Sequence, residues 1–181
     1  MRKIISGMFM SLDGVVGSPE RWNMPYFNDE MGAEIGGLMA AGDTMLLGRR
    51  TYQEFAAAFG GNAGDATADQ MNNTRKVVVS TTLDKAEWQN STLIRGNVAE
   101  EIAQLKQQPG TNINVSGSAT LVRSLLRDGL LDELHLLIHP IVVGSGGRLF
   151  EDAGEQFALK LVDSHTLSNG VLSLTYIPAE G

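Results

Sequence analysis

The sequence predicts a single α/β domain over residues 1–181, with a mixed, mainly parallel sheet of about eight strands and about four flanking helices. Strand-like and helix-like segments alternate along most of the chain, which is typical of strands joined by helical crossovers. The last segments are strand-like with no helix between them, which indicates an antiparallel edge. The length of 181 residues suits one domain with one sizeable core.

Short apolar segments between turn residues are predicted as strands. They are Lys3–Met10, Thr44–Leu47, Val77–Val79, Thr92–Ile94, Ile113–Val115, Leu134–Ile138, Phe157–Val162 and Val171–Tyr176. Asn169 and Gly170 form a dipeptide that favours a tight hairpin turn. The last two strands are therefore expected to pair antiparallel.

Apolar residues at helical spacing predict the helices. One helix opens at Pro25 and stops at Gly42, and the others cover Thr51–Phe59, Val98–Gln107 and Ala119–Leu126. Pro25 suits a first helical position, because the N–H that proline lacks has no helical partner there. The stretches Ser11–Met24 and Gly60–Asp69 are predicted as loops.

The composition excludes several classes of protein. Hydrophobic residues make up 43% and charged residues 19% of the chain, which indicates a globular protein rather than a disordered one. There is no cysteine for a disulfide framework, and no apolar run reaches the roughly 20 residues of a membrane helix. A net charge of −7 repels nucleic acid and anionic membranes. We expect a cytoplasmic protein with a small-molecule substrate and no nucleic-acid or membrane partner.

A glycine and two arginines mark the junction between the second strand and the next helix. Gly48, Arg49, Arg50 and Thr51 stand where the free N–H groups and the partial positive charge of a helix N-terminus are expected. An anion bound there gains backbone donors and charge-assisted hydrogen bonds from arginine. The motif favours a phosphate site, although a glycine turn with a threonine cap and two solvated arginines explains the same residues.

Two further segments place small or hydroxyl-bearing residues at the end of a strand. The first comprises Gly117, Ser118, Ala119 and Thr120, and the second comprises Ser80 and Thr81. Small residues let a ligand approach the backbone, and open α/β sheets bind ligands outside the carboxyl ends of their strands. The alternatives are a tight turn with a serine cap in the first segment and ordinary turn chemistry in the second.

The loop before the first helix contains an acid and an aromatic residue. Asp13 precedes Gly14, and Trp22 opens the segment Trp22–Pro25. A glycine-containing loop of this kind is able to close over a substrate. Asp13 is the strongest candidate for a catalytic, substrate-contacting acid, and its alternative is a loop acid that bonds its own backbone.

These motifs resemble those of dihydrofolate reductases in order and approximate spacing. The resemblance covers nearly the whole chain and runs through Trp22–Pro25, Gly48–Tyr52, Val79–Thr82 and Gly117–Thr120. The loop Ser11–Gly17 and the segment His139–Phe150 look closer to a sister group. That group comprises the reductase domain of the bifunctional deaminase/reductase of riboflavin biosynthesis and its free-standing relatives. The resemblance implies the dihydrofolate-reductase-like three-layer fold.

The resemblance also implies NADPH as the cofactor. It assigns phosphate contacts to Gly48, Arg49, Arg50 and Thr51, the pyrophosphate to Gly117, Ser118, Ala119 and Thr120, and the adenosine end to Ser80 and Thr81. The loop Leu12–Val16 would border the nicotinamide and the substrate, with Trp22 and Phe27 on the substrate side. The riboflavin-type relatives pair through their late strands, so we expect a homodimer, although Leu134–Ile138 fits a buried central strand equally well.

Two departures limit what carries over. In dihydrofolate reductases a carboxylate that assists protonation stands two residues after the proline of Trp-Asn-x-Pro. That position is Phe27 in this chain, so we expect little or no activity on dihydrofolate. The zinc motifs of the deaminase domain are missing, and His135 and His139 have no evident third ligand, so we expect no metal site.

The sequence thus predicts an NADPH-dependent reductase that transfers a hydride to a small heterocyclic or carbonyl substrate. One alternative is a 5-amino-6-ribosylaminopyrimidine-type reductase of riboflavin biosynthesis. Its substrate is a phosphate ester and needs further cations, for which Arg21, Lys76 and Arg148 are the candidates. The other alternative is a non-catalytic nucleotide-binding protein of the same fold, which the missing carboxylate keeps open.

Overall fold

The computed structural model describes residues 1–151 and 154–180. Its strands are β1 (Ile4–Ser11), β2 (Gly42–Gly48), β3 (Arg75–Val79), β4 (Ser91–Ile94), β5 (Asn112–Val115), β6 (Glu133–His139), β7 (Leu159–Thr166) and β8 (Leu172–Pro178). Its α-helices are α1 (Asp29–Ala40), α2 (Arg49–Phe59), α3 (Ala66–Asn73), α4 (Val98–Gln107) and α5 (Ala119–Arg127). Two short 3-10 turns, Pro19–Arg21 and Met24–Tyr26, precede α1.

The strands form one sheet in the order β4-β3-β2-β5-β1-β6-β8-β7. Neighbours from β4 to β6 run parallel, and β8 runs antiparallel to both β6 and β7. The predicted mixed sheet with an antiparallel edge is confirmed. Because parallel strands end at the same edge, the carboxyl ends of β3, β2 and β5 lie side by side, where open α/β sheets bind ligands.

Helices cover both faces of the sheet and give three layers. On one face α4 and α5 pack against the larger apolar cluster, which includes Ile102, Val122 and Leu46. On the other face α2 and α3 pack against a second cluster, which includes Leu47 and Met71. Successive strand residues point to opposite faces, so one strand supplies both clusters.

The helix α3 lies in part of the stretch predicted as a loop and raises the number of α-helices in the described residues from the expected four to five. Asp65 caps it by accepting a hydrogen bond from the N–H of Ala68 at 2.9 Å. Only Ala68 and Met71 of this helix are buried. Two apolar contacts in eight residues are too few to produce a visible helical period, and the preceding glycines indicate a loop.

The helix α1 begins four residues later than predicted. Pro25 lies in a 3-10 turn, and the backbone of Phe27 is extended, which ends that turn. Asn28 then caps α1 by accepting a hydrogen bond from the N–H of Met31 at 2.9 Å. The asparagine cap decides where the helix begins, because it satisfies a first-turn N–H that proline does not.

The strand β6 is an interior strand, paired with β1 on one side and β8 on the other. Of the two interpretations of Leu134–Ile138, the structure therefore has the buried central strand. The exposed edge of this half of the sheet is β7, which begins at Leu159, two residues later than predicted, and is exposed over most of its length.

Candidate active site

A cleft of about 1040 Å³ opens on the face of the sheet that α1 and α2 cover. Residues of both predicted strand–helix motifs line one end of it: Arg50, Thr51, Gly117, Ser118, Ala119 and Thr120. Trp22 and residues of β1 and β6, including Phe9 and Leu137, line another part. The volume reaches the upper end of the range of about 300–1,000 Å³ that is usual for small-molecule sites.

The two glycine junctions are in direct contact. The N–H of Gly48 donates to the carbonyl oxygen of Gly117 at 3.1 Å. A Cβ atom on Gly48 would lie 2.6 Å from Ser118 Oγ, and one on Gly117 would lie 2.8 Å from Thr51 Oγ1. Both distances are too short for any side chain, so the glycines are what allow the two junctions to form one surface.

Two helix N-termini meet at this surface. Gly48 is the N-cap of α2 and offers no side-chain cap, so the first-turn N–H groups of α2 remain free. Ser118 caps α5 by accepting a hydrogen bond from the N–H of Leu121 at 3.3 Å. The partial positive charges of both helices therefore point at the same end of the cleft, which suits an anion.

The two arginines of the motif differ in position. Arg50 lines the cleft, whereas Arg49 is exposed and lies outside its lining. Within residues 1–151 and 154–180, neither guanidinium has a carboxylate within 4.0 Å. Cations without a protein partner, set at helix N-termini in an acidic protein, fit a phosphate-bearing ligand.

The residues expected at the adenosine end lie at the adjacent strand end, outside the cleft lining. Ser80 is buried, and its Oγ accepts hydrogen bonds from the N–H groups of Thr82 at 3.2 Å and Leu83 at 3.1 Å. Thr81 is exposed. Backbone N–H groups of the turn thus hydrogen-bond to the Ser80 hydroxyl, whereas the Thr81 side chain is exposed to solvent.

Asp13 joins two loops. Its Oδ1 accepts hydrogen bonds from Ser11 Oγ at 2.6 Å and the N–H of Val143 at 3.0 Å, and its Oδ2 accepts from the N–H of Gly144 at 2.9 Å. Arg148 donates from Nε to the Asp13 carbonyl oxygen at 3.1 Å. The Ser11 hydroxyl and the two backbone donors hold the pKa of Asp13 far below its usual range. A carboxylate with this pKa is a poor proton donor.

The loop that Asp13 holds forms one wall of the cleft, through Ser145, Gly146, Gly147 and Arg148. The N–H of Val16 donates to the Gly147 carbonyl oxygen at 2.8 Å, which ties the wall to the loop that precedes Trp22. Sequence reasoning did not count this wall among the site residues. The glycine run at residues 144–147 is a signal for it, but no helix follows to mark it as an anion site.

Trp22 is buried and lines the cleft, with Nε1 donating to the Gly17 carbonyl oxygen at 3.2 Å. Its indole packs edge-on against His139, with the ring centroids 5.2 Å apart. Phe27 is 51% exposed and lies outside the lining. The position that bears the carboxylate in dihydrofolate reductases therefore presents an apolar ring to solvent rather than to the cleft.

Several lining residues carry no motif in the sequence. Arg123, on α5, donates from Nη1 to the Leu149 carbonyl oxygen at 2.8 Å and from Nη2 to Thr120 Oγ1 at 3.3 Å. Asn114 donates from Nδ2 to the Leu38 carbonyl oxygen at 3.1 Å, below α1. Asn114 lies on β5 three residues before Gly117, and this proximity to the glycine motif is the signal that could have found it.

The described residues contain no cluster of three or more His, Asp or Glu side chains that suits a metal ion. Among them, no helix is long and apolar enough to cross a membrane. The donors that the cleft does offer are backbone N–H groups, hydroxyls and guanidinium groups. These donors suit an anionic ligand at the end of the cleft where the Gly48 and Gly117 junctions meet.

Comparison with known proteins agrees with this geometry. YyaP, an uncharacterized protein of Bacillus subtilis (strain 168), is 31% identical over 180 residues, covering 97% of this chain and 94% of YyaP. A crystal structure from Shewanella sp. PV-4, linked by its description to riboflavin biosynthesis, is similar with a TM-score of 0.79 at 20% identity, covering 98% of this chain and 99% of that one.

Dihydrofolate reductase from Enterococcus faecalis, solved in complex with NADP(H) and RAB-propyl, shares the fold. Its TM-score is 0.65 at 15% identity, and the match covers 98% of this chain and 97% of that one. The expected dihydrofolate-reductase-like fold is thus confirmed. The family model of the RibD C-terminal domain matches residues 2–173. The chain therefore belongs to the RibD C-terminal domain family.

Proposed function

We propose that this protein is an NADPH-dependent reductase that transfers a hydride to a small heterocyclic or carbonyl substrate. The observation that carries the proposal is the contact between the Gly48 and Gly117 junctions. It directs two helix N-termini and the unpaired Arg50 at one end of a cleft that continues to Trp22. Membership of the RibD C-terminal domain family supports the same reaction class.

The cofactor phosphates would contact Arg50, Thr51 and the first-turn N–H groups of α2 and α5, with Arg49 at the rim. Thr81 would reach the 2′-phosphate, whereas Ser80 would act through the turn that it stabilises. NADPH supplies the hydride when bound, so the chain needs no nucleophile of its own. What the residues contribute is orientation of the two ligands and exclusion of water from the reacting atoms.

We assign Asp13 a positioning role rather than the catalytic role expected from the sequence. Its carboxylate holds the N–H groups of Val143 and Gly144 and so fixes the glycine wall of the cleft. Replacing Asp13 with alanine should raise KM while leaving the pH profile of kcat unchanged, and asparagine, which keeps one acceptor oxygen, should restore part of the loss. Loss of the alkaline limb of kcat, which reports a group that must be protonated, would instead make Asp13 the proton donor.

The riboflavin-pathway alternative requires a cation for the substrate phosphate. Of its three candidates, Lys76 is buried, with Nζ donating to the Met71 carbonyl oxygen at 2.6 Å, and Arg148 is engaged by Asp13. Arg21 lines the cleft. Family membership favours this alternative, and Arg21 is the residue on which it depends. Turnover of a phosphoribosyl- or ribosylaminopyrimidine that falls in Arg21→Ala would establish it.

Calorimetry tests the cofactor site first. NADPH should bind more tightly than NADH, and the Arg49→Ala, Arg50→Ala double variant should lose about tenfold or more in NADPH affinity, because charge-assisted hydrogen bonds are worth about 1.5–3 kcal/mol each. The matched control is the Arg75→Ala, Arg127→Ala double variant, which removes the same charge outside the cleft. If neither nucleotide binds at millimolar concentration, the proposed function fails.

Turnover separates the reductase from the non-catalytic alternative. Cofactor oxidation with any member of a panel of pteridines, aminopyrimidines and small carbonyl compounds would reject a pure binding role. Binding of NADPH with no turnover across the panel would favour that role, which the placement of Phe27 outside the cleft keeps open.

We also propose a homodimer that pairs through the antiparallel edge. Along β7 most side chains are exposed, including Leu161 and Val162. An exposed edge strand with apolar side chains invites pairing with another chain. Sedimentation of the wild type as a dimer and of a Val162→Lys variant as a monomer would support this, and a monomeric wild type would reject it.

A further inference from the structure

The turn between β7 and β8 contains the one Asn-Gly pair of the sequence, Asn169 and Gly170. Asn169 is partly buried, and Gly170 is exposed with a φ of 86°. The side-chain carbonyl carbon of an asparagine is open to attack by the backbone nitrogen of the next residue, and glycine, which has no Cβ, hinders that approach least. This pair is therefore the position in the chain where intramolecular deamidation meets the least steric resistance.

Hydrogen bonds hold both reacting groups in the folded chain. The N–H of Gly170 donates to the Leu167 carbonyl oxygen at 3.0 Å. Asn169 Oδ1 accepts from the N–H of Val171 at 3.0 Å, and Nδ2 donates to the Tyr26 carbonyl oxygen. The first two bonds lie within the turn, whereas the third, which we call the Tyr26 contact, joins residues 143 positions apart. Attack on the amide therefore requires the turn to leave this arrangement.

The Tyr26 contact connects the turn to the segment beside the cleft. Tyr26 is the last residue of the 3-10 turn that follows Trp22, and Trp22 lines the cleft. The rings of Tyr26 and Trp22 both pack edge-on against His139, with centroid distances of 5.4 Å and 5.2 Å. A change in the Asn169 side chain therefore acts on the backbone that leads from the cleft into α1.

Two further hydrogen bonds dock the turn on the start of α1. The N–H of Ser168 donates to Glu30 Oε2 at 2.8 Å, and Asn28 Nδ2 donates to Ser168 Oγ at 3.3 Å. Neither bond involves the Asn169 side chain. They therefore allow the docking of the turn to be weakened without any change in the Asn-Gly pair itself.

We infer that Asn169 is a deamidation site where the reaction follows opening of the Tyr26 contact and makes that opening permanent. The Gly170 nitrogen bonds to Asn169 Cγ, the Cγ–Nδ2 bond breaks, and ammonia leaves with the proton that the Gly170 nitrogen loses, which gives a cyclic succinimide. One water then adds to either ring carbonyl and opens the ring to aspartate or isoaspartate, with no oxidation or reduction. A carboxylate only accepts hydrogen bonds, so neither product donates to the Tyr26 carbonyl oxygen.

Peptide mass spectrometry of the full chain, aged in mildly alkaline buffer with and without urea, tests the site and its control by the fold. Position 169 should convert in both samples, and roughly tenfold or more faster in urea, because the unfolded chain has lost the hydrogen bonds that hold the pair. Glu30→Ala should speed the reaction in the folded chain about two- to tenfold, because the Ser168 N–H loses its acceptor. Asp29→Ala is the matched control, since Asp29 is an exposed acid in the same first turn of α1.

Asn169→Asp reproduces one product and tests the consequence. Backbone hydrogen exchange over residues 22–28 should rise above the wild type and the Tm should fall, because the Tyr26 carbonyl oxygen loses its donor and faces a carboxylate. Asn97→Asp is the matched control, because Asn97 is exposed and its side chain makes no cap hydrogen bond.

Three results would each overturn the inference. They are an intact Asn169 in the aged, unfolded chain, equal rates with and without urea, and wild-type hydrogen exchange in Asn169→Asp. None of these measurements depends on NADPH, so their outcome is independent of the proposed function.

Discussion

The strand ends on either side of β2 carry hydroxyl-bearing segments that look alike in the sequence and differ in the structure. After β5, the residues from Gly117 to Thr120 line the cleft, and Gly117 packs directly against Thr51. After β3, the turn itself uses the Ser80 hydroxyl, which accepts two backbone hydrogen bonds. Local backbone N–H groups use the serine hydroxyl in both segments, so the difference is that only the residues after β5 line the cleft.

The largest expected effect comes from adding a side chain at Gly117, just after β5. Gly117→Ala puts a Cβ 2.8 Å from Thr51 Oγ1 on a backbone with a φ of 141°. The strain of about 1–3 kcal/mol should lower NADPH affinity by roughly tenfold or more and lower the Tm. Calorimetry and thermal unfolding measure both.

The control is Gly129→Ala, which has a φ of 65° but no atom within 4 Å of the new Cβ. It should cost stability without changing NADPH affinity. Wild-type affinity in Gly117→Ala would mean that the contact between the two junctions is not part of the cofactor site.

A change at Ser80, just after β3, should alter the stability of the fold rather than the affinity for NADPH. Ser80→Ala leaves the N–H groups of Thr82 and Leu83 without their acceptor, which should cost about 1–3 kcal/mol in the free energy of unfolding. Urea unfolding measures this cost, and NADPH affinity of the folded variant should stay at the wild-type value. A drop in affinity without a loss of stability would show that the Ser80 hydroxyl contacts the cofactor.

A third strand end, that of β6, carries a titratable side chain, that of His139. His139 is buried, its Nδ1 lies 2.9 Å from the Leu137 carbonyl oxygen, and the rings of Phe9, Trp22 and Tyr26 surround it. Burial lowers the pKa of His139 below its ordinary value of 6.5. The unfolded chain therefore binds a proton first, and stability should be lost as pH falls below about 6.5.

Chemical denaturation across the acid range measures this loss, and each unit by which the pKa is lowered is worth about 1.4 kcal/mol. His139→Phe should flatten the acid part of the profile. His165 is exposed, and its hydrogen bond to Glu34 raises its pKa, so His165→Gln should keep the acid loss. An unchanged acid profile in His139→Phe would assign the loss to other groups.

The smallest expected effect concerns Thr81, which is exposed in the turn after β3. Thr81→Ala should leave stability unchanged and reduce the preference for NADPH over NADH by about two- to tenfold, since one net hydrogen bond is worth about 0.5–1.5 kcal/mol. Titration with both nucleotides measures the preference, and Thr82→Ala is the matched control. An unchanged preference in Thr81→Ala would place the 2′-phosphate elsewhere.

Local sequence patterns predicted most of the fold correctly, because each pattern depends on only a few adjacent residues. The helix α4 has the predicted bounds, and every predicted strand is present within a few residues. The errors occur where an N-cap residue, rather than the spacing of apolar residues, determines where a helix begins. Asn28 delays the start of α1, and Asp65 starts a helix whose apolar face is only two residues wide.

The chemistry of the site was less accessible to sequence reasoning. The motifs at Gly48 and Gly117 were recognised, but their contact depends on β2 and β5 being neighbours in the sheet. Asp13 was expected either to contact the substrate or to bond its own backbone, and neither alternative included its partners, the N–H groups of residues 143 and 144, which are about 130 positions away in the chain.

The sequence by itself determined the alternation of strands and helices, the two glycine junctions and the absence of a carboxylate at position 27, since these depend on neighbouring residues and residue identity. Only the tertiary structure decided which polar groups remain free for a ligand. Strand order brings the glycine junctions together, turns take up the Ser80 hydroxyl, and a distant loop takes up the Asp13 carboxylate. The hydrogen bonds of Gly48 and Asp13 join segments far apart in the chain, so no local sequence pattern predicts them.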